Sequence, residues 1–338
     1  MGIYRLALAI CVLLYHAGVF FWGQNQGVVA VISFFLLSGF VMTALIRRNY
    51  LSPEKIPAFY LDRALRLFPQ YLLYLVLTLL LVAIAPPVDP SLQGLTPFKA
   101  FLNALMLPLA GYMLGLSDAL LIPQAWSLGL ESTFYLIIPW LLVYRFERIA
   151  FVCSVCVFVV AYLGFVNTDI FGYRLLPGTL FIFLCGSFLY QTKGKWETVA
   201  LRAAYVVALA LFLLLITTRY FHFPFNREVL AGFLVGLPIV AVLARCKAHA
   251  LDTTFGNLSY GVFLNHFFLI FVFRNFGIAT ATGRGALMLV AASIGLAWLT
   301  FQLVERPTLA LRHGLRRNAD PVTVLTRNEN VVDCTPAR

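Results

Sequence analysis

Five side chains in this sequence stand in or at the edge of stretches so apolar that a charge or a titratable ring there needs a reason: Arg5, His16, Glu131, His266 and Glu305. Ionisable groups in hydrocarbon are costly, so each is a candidate for chemistry. Arg5 and His16 are eleven residues apart. Eleven helical steps of about 100° fall within about 20° of three turns, so one helix face carries both, about 16 Å apart along the axis. A guanidinium at a membrane edge extends to water; an imidazole deeper on the same face has no such exit. Such a histidine is either a structural hydrogen-bonding group or a general base, because an imidazole near neutral pH can take a proton from a hydroxyl.

The other candidates divide in the same way. Glu131 lies in "WSLGLESTFY", with Tyr135 one turn on. It is either a carboxylate paired with an arginine for packing or the group that orients His16 and stabilises its charged form. Trp126 and Tyr135 of this stretch are expected to line a substrate path. Arg63 and Arg66, three apart in "YLDRALRLFP", face together if that piece is helical. Two guanidinium forks suit phosphate, which arginine binds bidentately, but they also serve as an ordinary topology signal. Ser259 and His266, seven apart in "LSYGVFLNH", share a face and either hydrogen-bond in the core or line a substrate path. Glu305 opens "ERP" and is expected to pair with an arginine. Ser38-Gly39 in "SFFLLSGF" reads as a close helix-packing point, with Ser38 a further lining candidate.

These residues need a scaffold, and the composition names it. The 338 residues are 61% hydrophobic and 12% charged, against about a quarter charged in soluble domains. A span needs about 20 apolar residues. By that rule spans fall near 4–22, 28–46, 67–85, 126–144, 149–167, 174–191, 199–217, 229–245, 257–273 and 286–304. The apolar piece at 98–116 is broken by Pro108, Gly111 and Gly115 and reads as re-entrant or interfacial. With the N-terminus in the cytoplasm, 19 of the 25 Lys and Arg residues fall on the inner side, as the positive-inside rule requires. The net charge of +11 is therefore topology and not a nucleic-acid footprint. Both termini are expected in the cytoplasm, with 1–317 as a membrane domain and 318–338 as a disordered tail. The first span is expected to remain uncleaved, since a second span follows it closely. The six cysteines lack metal or disulfide spacing, and Cys153 and Cys156 read as helix packing; no metal is expected. The fold class is thus all-α: a polytopic membrane protein of about ten transmembrane helices.

The elements Arg5-x10-His16, "SFFLLSGF", Arg63-x2-Arg66-Leu-x-Pro69, "WSLGLESTFY", "LSYGVFLNH" and "ERP", in this order, resemble the acyltransferase-3 family of integral membrane acyltransferases. The resemblance implies a catalytic role for Arg5 and His16 and acetyl-CoA, or another acyl-CoA, as donor. It also implies O-acetylation of a cell-surface glycan as a common activity, in the form without an appended esterase-like domain. On that basis Arg63, Arg66 and Arg5 would hold the donor phosphates at the cytoplasmic surface. The pantetheine arm would run along the first helix, and a hydroxyl of a carbohydrate acceptor would meet the thioester near His16. The setting would be the plasma or inner membrane, with membrane lipids as the surrounding partner and no nucleic acid. Acylation of a small molecule or lipid is the alternative within the class; a glycan or metabolite transporter is the alternative outside it.

Overall fold

The computed structural model describes residues 1–312 apart from 22, 86–91, 117–118, 194–198, 219–222, 248 and 310. The expected tail at 318–338 lies outside the described residues. Within them the chain is helical, with no strand. Hydrocarbon offers backbone N–H and C=O groups no partner, and a helix satisfies them internally, so the long apolar runs become helices. They are α1 (Gly2–His16), α2 (Gln26–Asn49), α3 (Ile56–Ile84), α4 (Pro97–Leu105), α5 (Ala125–Tyr144) and α6 (Glu147–Tyr162). There follow α7 (Leu176–Gln191), α8 (Val199–Thr217), α9 (Asn226–Leu243), α10 (Ala250–Asn275) and α11 (Gly283–Thr300).

Eight helical segments among the described residues are long and apolar enough to cross a membrane. Two more, α1 with 15 residues and α6 with 16, occupy the places of expected spans but are shorter. At about 1.5 Å per residue each falls short of the ~30 Å hydrocarbon core. The span expected at 4–22 in fact stops at His16, because the chain turns at Gly18 (φ +90°) and starts α2 at Gln26. His16 is therefore the last residue of its helix and not part of a continuing span. The loop between α10 and α11 folds back over this end, where the Thr280 hydroxyl donates to the Ala17 carbonyl at 3.1 Å.

Two further expectations change in detail. The loop thought to carry Arg63 and Arg66 is the first part of α3, which begins at Ile56 and continues through Pro69. The piece at 98–116 is α4, a turn at Met106 (φ +59°) and a 3-10 segment, Leu107–Leu114. The segment packs on α5, where Gly129 admits the Ala110 backbone. Buried Asn103 ties it down: its amide donates to the Ala119 carbonyl at 2.6 Å, and its side-chain oxygen accepts from the Leu121 N–H at 3.1 Å. Cys153 and Cys156 are free and exposed on α6, so their side chains do not pack in the bundle interior.

The bundle is organised around α2, which packs on α7, α9, α1 and α5. By contrast α8 buries only Leu201, Ala208 and Leu215, a narrow stripe with a spacing of seven. Small residues let α2 and α7 approach backbone to backbone. A Cβ on Gly39 would lie 1.8 Å from the Phe183 carbonyl oxygen, and one on Gly186 would lie 2.0 Å from that of Leu36. Neither can be accommodated without separating the helices. Gly39→Val should therefore destabilise the protein by about 1–3 kcal/mol or more, as overpacking does. Thermal unfolding in detergent should show a lowered midpoint for this variant. Gly295→Ala, whose added Cβ meets nothing within 4 Å, should leave the midpoint unchanged.

Candidate functional site

Helix α1 lies parallel to α10 and is tied to it at both ends. At the first end the Met1 amino group donates to both Asp252 carboxylate oxygens, at 3.0 and 2.8 Å, and the Ile3 N–H donates to Oδ1 at 2.9 Å. At the other end His16 Nδ1 lies 3.1 Å from His266 Nε2. The two rings are within 6° of parallel, with centroids 5.2 Å apart. Phe267 packs on His16 at 4.6 Å between centroids and Tyr15 meets it edge-on at 5.2 Å. His266 is fully buried, and its other ring nitrogen, Nδ1, faces the Val262 carbonyl at 3.4 Å.

A cavity of about 140 Å³ opens beside α1 between α2, α3, α5 and α10. Seven of the eleven residues singled out from the sequence line it: Arg5, Ser38, Arg63, Arg66, Glu131, Tyr135 and Ser259. On its floor one oxygen of Glu131 accepts from the Ser38 hydroxyl and from the Tyr135 hydroxyl, each at 2.5 Å. The expected pairing of Glu131 with His16 is not formed; the imidazole is held by His266 instead. The reason is helical phase. Ser38 and Tyr135 stand within reach of the carboxylate on α2 and α5, while His16 ends α1 against α10.

The arginines are not equivalent. Arg63 is buried against Asp62, whose Oδ2 accepts from Nε at 3.0 Å and also from Nη2. The other oxygen of Asp62 accepts from Arg312 Nε at 3.3 Å. Arg66 pairs with Glu305, giving that carboxylate the arginine partner expected of it. The Arg66 guanidinium also lies 5.0 Å from the Tyr260 ring centroid. Arg5 lines the cavity with no hydrogen bond or ion pair to any described residue. A guanidinium carries five N–H donors, so one carboxylate does not saturate Arg63 or Arg66. Arg5 is the fully uncommitted cation of the three.

Between the cavity and the histidine pair stand two phenylalanines, Phe34 and Phe263. Both line the cavity, with ring centroids 5.8 Å apart, and Phe263 meets His266 edge-on at 6.0 Å. The sequence reading passed over them, although Phe34 is one turn from Ser38 and Phe263 lies between Ser259 and His266 at spacings of four and three. It also passed over Asp62, which was visible as a lone acid in a basic run. Trp126 corrects another expectation: it does not line this cavity but packs against Tyr173 at 5.0 Å. It belongs to an aromatic cluster around Arg174, whose guanidinium lies 5.0 Å from the Trp126 centroid and donates to Asp169 and Tyr112. Among the described residues no group of three His, Cys, Asp or Glu is placed to hold a metal ion.

An arginine-walled cavity at one end of a buried helix and a coupled histidine pair at the other would suit a reaction between an anionic carrier and a hydroxyl. The acyltransferase domain family, acyltransferase-3, matches residues 3–302. An uncharacterized protein of Aquifex aeolicus (strain VF5) is 32% identical over 202 residues, covering 58% of this chain and 91% of that protein. No solved structure matches. With a match that spans nearly the whole bundle, the chain belongs to the acyltransferase-3 family and is a membrane protein of the acyltransferase class.

Proposed function

We propose that the protein transfers an acetyl or other short acyl group from cytoplasmic acyl-CoA to a hydroxyl of a cell-surface or exported polysaccharide or glycolipid. His16 is the general base. Residues 1–317 form the acyltransferase domain, residues 318–338 a cytoplasmic tail, and the setting is the plasma or inner membrane. The topology is ten membrane segments, counting the short α1 and α6, with both termini cytoplasmic. The parallel run of α1 and α10, both in-to-out in that scheme, and the 19-to-6 division of basic residues support it.

The histidine pair carries the mechanistic reading. A carbonyl oxygen only accepts, so a neutral His266 places its proton on Nδ1, toward Val262, and leaves Nε2 as an acceptor. His16 must then donate from Nδ1. Its own Nε2 is left as a lone pair, the form a general base requires. The acceptor hydroxyl gives its proton to this nitrogen as its oxygen attacks the thioester carbonyl. The C–S bond breaks, and the departing CoA thiolate takes the proton from His16 Nε2, which restores the base. His266 is a positioning residue for this step, holding the tautomer and the ring plane. Arg5 receives a donor phosphate most directly, having no carboxylate to leave; Arg63 and Arg66 contribute their spare donors. The pantetheine arm then lies along the cavity and passes Phe34 and Phe263 to present the thioester at His16. Ser38, Glu131, Tyr135 and Ser259 form the polar wall of that path.

The test of the acceptor class is mass spectrometry of surface glycans from cells with wild-type protein or His16→Ala at matched membrane levels. An acetyl group present only with wild type is expected. Identical glycans would remove surface O-acetylation from the reading while leaving the family intact.

The tautomer argument has its own readout. His266→Gln places an amide oxygen near the position of Nε2 and should keep substantial kcat with an unchanged pH profile. His266→Phe, which cannot accept, should lose about 10²-fold in kcat, a magnitude typical of general-base effects. Equal activity in the two variants would free His16 from dependence on His266.

The donor claim is best tested at Arg5. Arg66→Ala strands the buried Glu305 carboxylate, which by itself costs about 3–5 kcal/mol, and Arg63→Ala takes one of two arginines from buried Asp62. Arg5→Gln breaks no ion pair, so the thermal midpoint should hold while the KM for acyl-CoA rises about tenfold, as for loss of one charge-assisted phosphate contact. An unchanged KM would return Arg5 to topology alone.

A further inference from the structure

A second, larger cavity of about 980 Å³ lies on the other side of α2 from the site just described, at the end of the bundle that carries Met1. Its walls are the end of α2, the corner between α5 and α6, the end of α7 and the start of α8. Among the described residues Arg47, Arg145 and Arg148 line it together with one carboxylate, Glu147, which is 3.7 Å from Arg47. The Arg145 and Arg148 guanidinium groups make no hydrogen bond or ion pair to a described residue. The rest of the lining is largely apolar, with Leu142, Val143 and Phe188 inside and bare Leu51 and Val199 at the rim. Arg145 also adopts a left-handed conformation (φ +58°) at the end of α5, a position where glycine is the low-strain residue. The chain thus holds a cationic side chain at a strained corner that faces a recess with basic and apolar walls.

We propose that this cavity binds the phosphate headgroup of an anionic phospholipid, with its acyl chains along the exposed apolar rim. Two features favour a lipid over the nucleotide end of the acyl donor. The α2 and α7 backbones touch at Gly39 and Gly186, closing the passage between those two helices. The rim is bare hydrocarbon surface, which a membrane lipid covers and a soluble nucleotide does not. Bound there, the lipid would brace α2, the central helix of the bundle, against α6 and α8.

The full-length protein in neutral detergent, titrated with phosphatidylglycerol or phosphatidylcholine and read by native mass spectrometry, tests this. Phosphatidylglycerol should bind in preference. Arg145→Gln with Arg148→Gln should weaken that binding about 30-fold, the factor for two surface arginines acting on an anionic lipid. Arg48→Gln, a basic change on α2 outside the cavity lining, should leave it unaltered. Arg145→Gly is a second variant whose folding is not at risk: it should raise the thermal midpoint of lipid-free protein while still weakening phosphatidylglycerol. Equal binding of the two lipids to wild type, or a preference that survives the double substitution, would overturn the proposal. So would displacement of phosphatidylglycerol by millimolar inorganic phosphate, which would mark a free-anion site, or by acyl-CoA, which would mark a donor site.

Discussion

Hydrocarbon does not solvate charge, and each ionisable side chain drawn into this bundle has to find its counterpart on another helix or reach a cavity. That constraint explains why the contacts that define the architecture are so often polar ones between distant parts of the chain. The Met1 amino group reaches Asp252, His16 reaches His266, Arg66 reaches Glu305 and Asp62 gathers both Arg63 and Arg312. Each joins residues of helices that apolar packing alone would hold in no particular register, since lipid tails are as apolar as the side chains that leave them. The same contacts that specify the register place the functional groups.

Tight packing and open space divide around α2. On the α7 side, Gly39 and Gly186 bring backbones together and leave no passage. On the α1 and α5 side, Ser38 turns toward Glu131 and the helices part to form the cavity that Arg5 enters. One residue step along α2 therefore separates a sealed interface from a cavity wall. One oxygen of Glu131 takes both the Ser38 and the Tyr135 hydroxyl, which ties α2 to α5 at the cavity wall.

Carboxylates distribute the work among the arginines. Arg63 and Arg66 are held by acids and pre-oriented, while Arg5 has no such partner and lies on the helix that ends at His16. The helix thereby links an arginine without a carboxylate partner to an imidazole across its own length. Its brevity matters: because α1 stops at His16, the imidazole stands at a helix end, where the loop from α10 to α11 closes over it and α10 supplies the second ring.

Local physics alone made much of this legible in the sequence. Apolar runs of span length located the helices, since a hydrocarbon solvent leaves the backbone few choices. The spacing of eleven put Arg5 and His16 on one face. The broken segment at 98–116 announced itself through its proline and glycines. What the tertiary structure decided was partnership. That Glu131 takes Ser38 and Tyr135 and leaves His16 to His266 depends on the rotation of α5 and α10 about their axes, and so on which side chains the close α2–α7 packing lets face inward. No spacing within one helix encodes that. The pairing of Asp62 with Arg312, 250 residues on, is likewise invisible to any local pattern. The sequence determined which groups could react and on which helix faces they ride; only the packed bundle decided which of them meet.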